Sequence, residues 1–258
     1  MGQLEDVTPA WAWEGADGSG VRVCLLDSGV EADHAGAGPV DLALTVVDAP
    51  DGRLTVAEEN PSVDRVGHGT ACAAVIRSIA PAASLTSVRV LTDGIFGGGQ
   101  ALLAGLEWAI EQGYDVVNLS LSTTRPQLQQ PLHDLADQAY FRRTLLVVAA
   151  HNMPVHSYPW TFASVVSVAC HDEPEPMLHY YNPSPPAEFL AHGVRVLVPW
   201  LDSGDKRVTG NSFATPHISG LCALILSKHP WLTPFQVKSV LFMTARNVRE
   251  LAGGPPCP

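Results

Sequence analysis

Short apolar runs rich in β-branched residues alternate along this chain with segments whose apolar residues recur every three or four positions. Residues 21–26, 85–91, 115–120 and 144–150 read as buried strands, and 165–170 and 194–198 complete the set. Between them, 68–79, 100–112, 128–141, 212–227 and 233–244 read as helices, with Leu102, Leu103, Leu106 and Ile110 showing the repeat. Thr233-Pro234 supplies a capping residue before a proline in the first turn. Strands that alternate with helices need crossover connections, which produce a mainly parallel sheet covered on both faces. The expected fold class is therefore α/β: a three-layer fold, a mainly parallel twisted sheet with helices on both faces.

No low-complexity block, charge run or internal repeat divides the 258 residues, so residues 1–258 are expected to form a single domain. The longest apolar stretches, 145–150 and 218–226, are too short to cross a bilayer, and no membrane partner is expected. A net charge of −11 is the wrong sign for a nucleic-acid binder. It suits solubility, and a mild preference for basic peptides. Cys24, Cys72, Cys170, Cys222 and Cys257 are scattered and form no CxxC pair. They read as small buried thiols in a reducing compartment. With no basic-then-apolar signal pattern at the N-terminus, the expected location is cytoplasmic. The histidines show no repeated metal spacing, so no metal and no cofactor are expected.

Gly210-Asn211-Ser212-Phe213-Ala214-Thr215-Pro216-His217 opens an apolar helical run. A serine there sits among unpaired backbone N–H groups and a partial positive charge, an environment that favours a developing oxyanion. Asp27 stands where the first strand ends, and His68 opens a helix in Gly67-His68-Gly69-Thr70. Serine acyl transfer needs a base for the hydroxyl proton and an acid that orients the base, which is the set these residues offer. The glycines flanking His68, and Gly210, are expected to let substrate backbone approach closely. Asn152 follows the fourth strand at the edge where α/β folds bind ligands. Asn118 is expected to bond neighbouring backbone. His217 is expected to pack in its helix.

Asp27-Ser28-Gly29, His68-Gly69-Thr70 and the motif around Ser212 resemble, in order, the three signatures of the subtilisin-like serine proteases, the subtilases. The similarity runs from about Gly20 to Thr244, placing a peptidase core at about 20–246. The resemblance implies that Asp27, His68 and Ser212 are orienting acid, general base and nucleophile. It matches Asn152 to the family's side-chain oxyanion donor. It implies that an extended peptide pairs near Leu121, Ser122 and Thr123. The P1 pocket would lie between that segment and Ala149, Ala150 and His151, with Ser157 near its floor. Several features depart from the family, among them His151 where glycine is usual, Asn211 for threonine, Phe213 for methionine, Ala71-Cys72-Ala73-Ala74 for His-Val-Ala-Gly, and Gly36 for an early calcium-ligating aspartate. No calcium is expected there, and Asp48, Asp51, Glu58 and Glu59 read as a solvated loop. The implied function is a serine endopeptidase acting on a peptide or precursor protein through an acyl-enzyme. A transpeptidase or macrocyclase would carry the same triad, and an inactive peptide-binding subtilase fold is the alternative outside enzymology.

Overall fold

The computed structural model describes residues 7–91, 98–202 and 204–252. Cys257 lies outside them. The chain begins with α1 (Pro9–Trp13), β1 (Arg22–Asp27), β2 (Leu42–Asp48), β3 (Leu54–Glu58), α2 (His68–Ile79) and β4 (Ser84–Arg89). It continues through α3 (Gly99–Glu111), β5 (Val116–Leu119), α4 (Gln129–Phe141), β6 (Leu145–Ala149) and β7 (Val166–His171). Then come β8 (His179–Tyr181), β9 (Phe189–His192), β10 (Val196–Trp200), β11 (Gly204–Val208), α5 (Asn211–Lys228), α6 (Pro234–Thr244) and α7 (Arg246–Ala252).

A nine-stranded sheet runs in the order β3-β2-β4-β1-β5-β6-β7-β9-β8. Every pairing from β2 through β9 is parallel, and the edge strands β3 and β8 are antiparallel to their neighbours. The three layers follow from strand periodicity. In β1, Val23 and Leu25 face one layer, where they join Cys72 and Ile76 of α2 and Ile218 and Leu221 of α5. Cys24 and Leu26 face the other, joining Leu106 of α3 and Leu132 of α4. Burying each such leucine stabilises the fold by about 1.5–3 kcal/mol, which is why the central strands read as unbroken apolar runs.

Several elements were absent from the sequence reading, including β2, an apolar run that it passed over. β3 is only half-buried, and β11 is Gly-Asp-Lys-Arg-Val, a largely exposed polar strand held by pairing with β10. β2, β8 and β9 lie towards the sheet's margins. α1 has only five residues; Thr8 Oγ1 accepts from the Trp11 N–H, and Pro9 begins the turn. Trp11 and Trp13 therefore belong to a helix. Asp48 and Glu58 end the strands of an antiparallel hairpin and Glu59 pairs with Arg89, which corrects the solvated-loop reading for those three; Asp51, paired with Arg53, lies in the exposed turn.

Because β1, β5 and β6 are parallel neighbours, their carboxyl ends share one edge of the sheet. Asp27, the segment after Leu119 and the segment after Ala149 thus emerge side by side. The β10–β11 hairpin stands apart from the main sheet. Its Val196, Val198 and Val208 pack with Ala71 and Val75 of α2 and Phe213 of α5.

Candidate active site

Asp27 closes β1 and is almost fully buried. Its Oδ1 accepts from the Ser28 N–H at 2.7 Å and lies 2.7 Å from Nδ1 of His68. Since a carboxylate only accepts, His68 carries its proton on Nδ1, and Nε2 is left as the basic atom. Burial alone would lower the His68 pKa, but the Asp27 charge and hydrogen bond outweigh it and raise the pKa well above the usual value. Cys72, one helical turn on, brings its Sγ to 3.9 Å from the same Nδ1. Burial raises the Cys72 pKa, so it stays a neutral thiol and Asp27 is the charge that matters.

His68 is placed by a residue that sequence reasoning missed. Asp64, buried just ahead of α2, accepts at Oδ1 from Ser28 Oγ and from the Val66 and Gly67 N–H groups. At Oδ2 it accepts from the backbone and hydroxyl of Thr70. One carboxylate thereby caps α2 and ties it to the turn after Asp27. The signal was an acid shortly before the His-Gly-Thr helix start. The motif glycines face protein, correcting the expectation that they admit substrate. A Cβ on Gly69 would stand 1.9 Å from the Gly29 carbonyl oxygen, and one on Gly67 (φ +89°) would stand 2.7 Å from the Trp200 indole.

Ser212 lies in the first turn of α5. Four residues on, Pro216 has no N–H, so the Ser212 carbonyl lacks its helical donor. Ser120 Oγ supplies one at 2.8 Å, and Cys72 Sγ lies 3.6 Å from the same oxygen. Asn118 donates from Nδ2 to Ser120 Oγ and accepts at Oδ1 from Ser219 Oγ. Its partners are serine hydroxyls, not the neighbouring backbone expected from the sequence. This relay locks the helix that carries Ser212 onto the end of β5. His217 is buried against the Phe213 carbonyl, as expected of a packing residue.

Asn152 follows β6. Its Oδ1 accepts from the Asn211 N–H at 2.9 Å, which leaves Nδ2 to donate elsewhere. A Cβ on Gly210 would stand 3.4 Å from Ser212 Oγ and 3.5 Å from both polar atoms of the Asn152 amide. The hydroxyl and the amide therefore border one small space that a glycine keeps open. Asn211 organises this region. Its Oδ1 accepts from the Cys170 N–H, and its Nδ2 donates to the carbonyls of Ala150 and His151.

His68, Asn152 and Ser212 line one cleft of about 750 Å³ together with Leu121, Ser122, Ala149, Ala150 and His151. Two expected substrate residues are elsewhere. Thr123 spends both its N–H and its carbonyl on Tyr158, so it has no backbone group to offer a peptide. Ser157 is fully buried behind the wall, bonded to Ser122 Oγ and the Trp160 indole N–H. His151 accepts the Met153 N–H at Nδ1, which turns its ring into its own loop. The far wall comes from Trp200, Lys206, Arg207, Val208 and Thr209, which the sequence reading did not single out. Asp27, His68 and Cys72 present ligand atoms within 4.8 Å of one another, and no other such group of three forms among the described residues. Asp27 Oδ1 and His68 Nδ1 are already bonded to each other there, so the cluster reads as an acid–base pair and not as a metal site.

A base oriented by a buried carboxylate, a serine at a helix start and an amide beside it define a serine hydrolase built on a parallel α/β sheet. The family model described as the subtilase family matches residues 18–254, and the chain belongs to that family of serine proteases. It is 31% identical to subtilisin DY of Bacillus licheniformis, over 92% of this chain and 88% of that one. It is 30% identical to subtilisin E of Bacillus subtilis (strain 168), over 92% of this chain and 63% of that one. Among solved structures, a cold adapted subtilisin-like serine proteinase superposes with a TM-score of 0.71 at 25% identity, covering 91% of this chain and 87% of the other.

Proposed function

We propose that the chain is an endopeptidase that cleaves through an acyl-enzyme on Ser212. The observation that carries this reading is the Asp27–His68 pair opening onto the same cleft as Ser212 and Asn152. Ser212 Oγ attacks the scissile carbonyl carbon as its proton passes to His68 Nε2. The resulting oxyanion takes hydrogen bonds from Asn152 Nδ2 and the Ser212 N–H. Collapse breaks the C–N bond, and His68 returns the proton to the departing amine. A water then repeats the sequence on the ester and releases the acid.

Limited processing of a peptide or precursor protein in the cytoplasm is the biological role we propose. Cys24, Cys72, Cys170 and Cys222 are unpaired thiols, three of them buried, which suits a reducing compartment. An indiscriminate protease would be hazardous there. A fluorophosphonate probe is expected to label the wild type and not Ser212→Ala. A folded wild type that resists the probe would sink the enzyme reading. Mass spectrometry of a peptide library then separates the alternatives: hydrolysis adds one water per cut, ring closure adds none, and cutting at most bonds would rule out limited processing.

A further inference from the structure

The cleft's far wall carries a charge pattern opposite to that of the whole chain. Its described lining includes Lys206 and Arg207 and no aspartate or glutamate, although the net charge is −11. Neither residue forms a salt bridge among the described residues. Both are held in place by other means. The Lys206 ammonium sits 4.1 Å from the centre of the Trp200 ring, and the Arg207 guanidinium donates to the Arg195 carbonyl at 3.4 Å. The acids nearest in sequence, Asp202 and Asp205, line no part of the cleft.

The hairpin's position decides which part of a substrate meets these charges. His68 must hand its proton to the departing nitrogen, so the chain following the cleaved bond lies on the His68 side. β10 and β11 pack against α2, and the Trp200 indole covers Gly67, the residue before His68. The rest of the lining, Leu121, Ser122, Ala149 and Ala150, is left for the acyl portion. We infer that Lys206, on the Trp200 face of β11, forms a subsite for an acidic side chain at the first or second residue after the scissile bond, with Arg207 adding positive charge from the strand's other face. The molecule's general negative field is screened over about 8 Å at physiological salt, so the two local cations dominate once a peptide is in place. The overall charge had suggested a mild preference for basic peptides; at this subsite the wall reverses it.

The inference rests on the peptidase reading, and one substrate series tests them separately. Peptides sharing an acyl portion would carry Glu, Gln or Lys at the two positions after the cleaved bond, beside an anilide with no residue there. The expected wild-type order in kcat/KM is Glu, then Gln, then Lys, with about tenfold between the extremes at low salt. That spread should shrink as salt is added. Lys206→Glu combined with Arg207→Glu is expected to reverse the order, a ratio read within one protein and independent of its total activity. Equal turnover of the three peptides, a preference for Lys, or a double variant with the wild-type order would each overturn the subsite. Failure to turn over even the anilide would overturn the peptidase reading and the subsite with it.

Discussion

Asn211 spends its whole side chain on backbone groups far away in sequence: the Cys170 N–H and the carbonyls of Ala150 and His151. Its own N–H fixes the Asn152 amide, so one residue beside Ser212 sets both the loop and the rotamer of the oxyanion donor we propose. Loss of a whole side-chain donor of this kind costs on the order of 100- to 1000-fold in related enzymes. Loosening it should cost less. Asn211→Ala is expected to lower kcat about 10- to 100-fold with little change in KM, because the oxyanion forms only on the way to the transition state. Steady-state kinetics on a peptide anilide reads the split, and an intact kcat with a raised KM would contradict the assignment. The sequence showed that Asn211 can hydrogen-bond. Its partners, 41 to 61 residues away, exist only because β6, β7 and α5 converge.

Helix α2 shows how an element places His68. Its N-terminus is capped by Asp64, and the same carboxylate holds Ser28 next to Asp27. Asp64→Ala would strand several donors at the buried foot of the helix. The expected loss of stability is about 3 kcal/mol or more, read as a shift in the urea midpoint, with activity falling alongside. A midpoint within error of the wild type would show that α2 is anchored elsewhere. Helix α5 uses a different device. Pro216 removes the donor that the Ser212 carbonyl would have had, and the vacancy is filled from β5 through Ser120. The proline was plain in the sequence; the serine that answers it was not. Helices were legible because their apolar stripes are long, whereas β11 carries polar residues on an exposed edge and gave no period to read.

At the scale of the whole molecule, His179, His192 and His217 are buried. Burial holds the pKa of each below the usual histidine value, that of His217 at about 4. The unfolded chain therefore binds more protons than the folded one below about pH 6.5, where ordinary histidine titrates. Their contribution is complete above that pH and is lost as the pH falls towards about 4 for His217. His68 has the opposite sign: its raised pKa gives stability present below about pH 6.5 and lost as the pH climbs through the raised value. The urea midpoint is thus expected to fall from about pH 6.5 to 5, above the range where exposed carboxylates titrate. His217→Leu should flatten that slope. A wild-type midpoint that is level across this window would contradict the buried neutral histidines. By itself the sequence determined the layered parallel fold and the family, and it supplied the triad we propose, because apolar period and short motifs are local properties of a chain. Only the tertiary structure decided the Asp64 tether, the Ser120–Asn118–Ser219 relay, the loss of Thr123 and Ser157 from the cleft, and the basic wall of Lys206 and Arg207. Those depend on which distant segments share one sheet edge, and hydrogen bonds and charges act through distance in space, which local pattern does not encode.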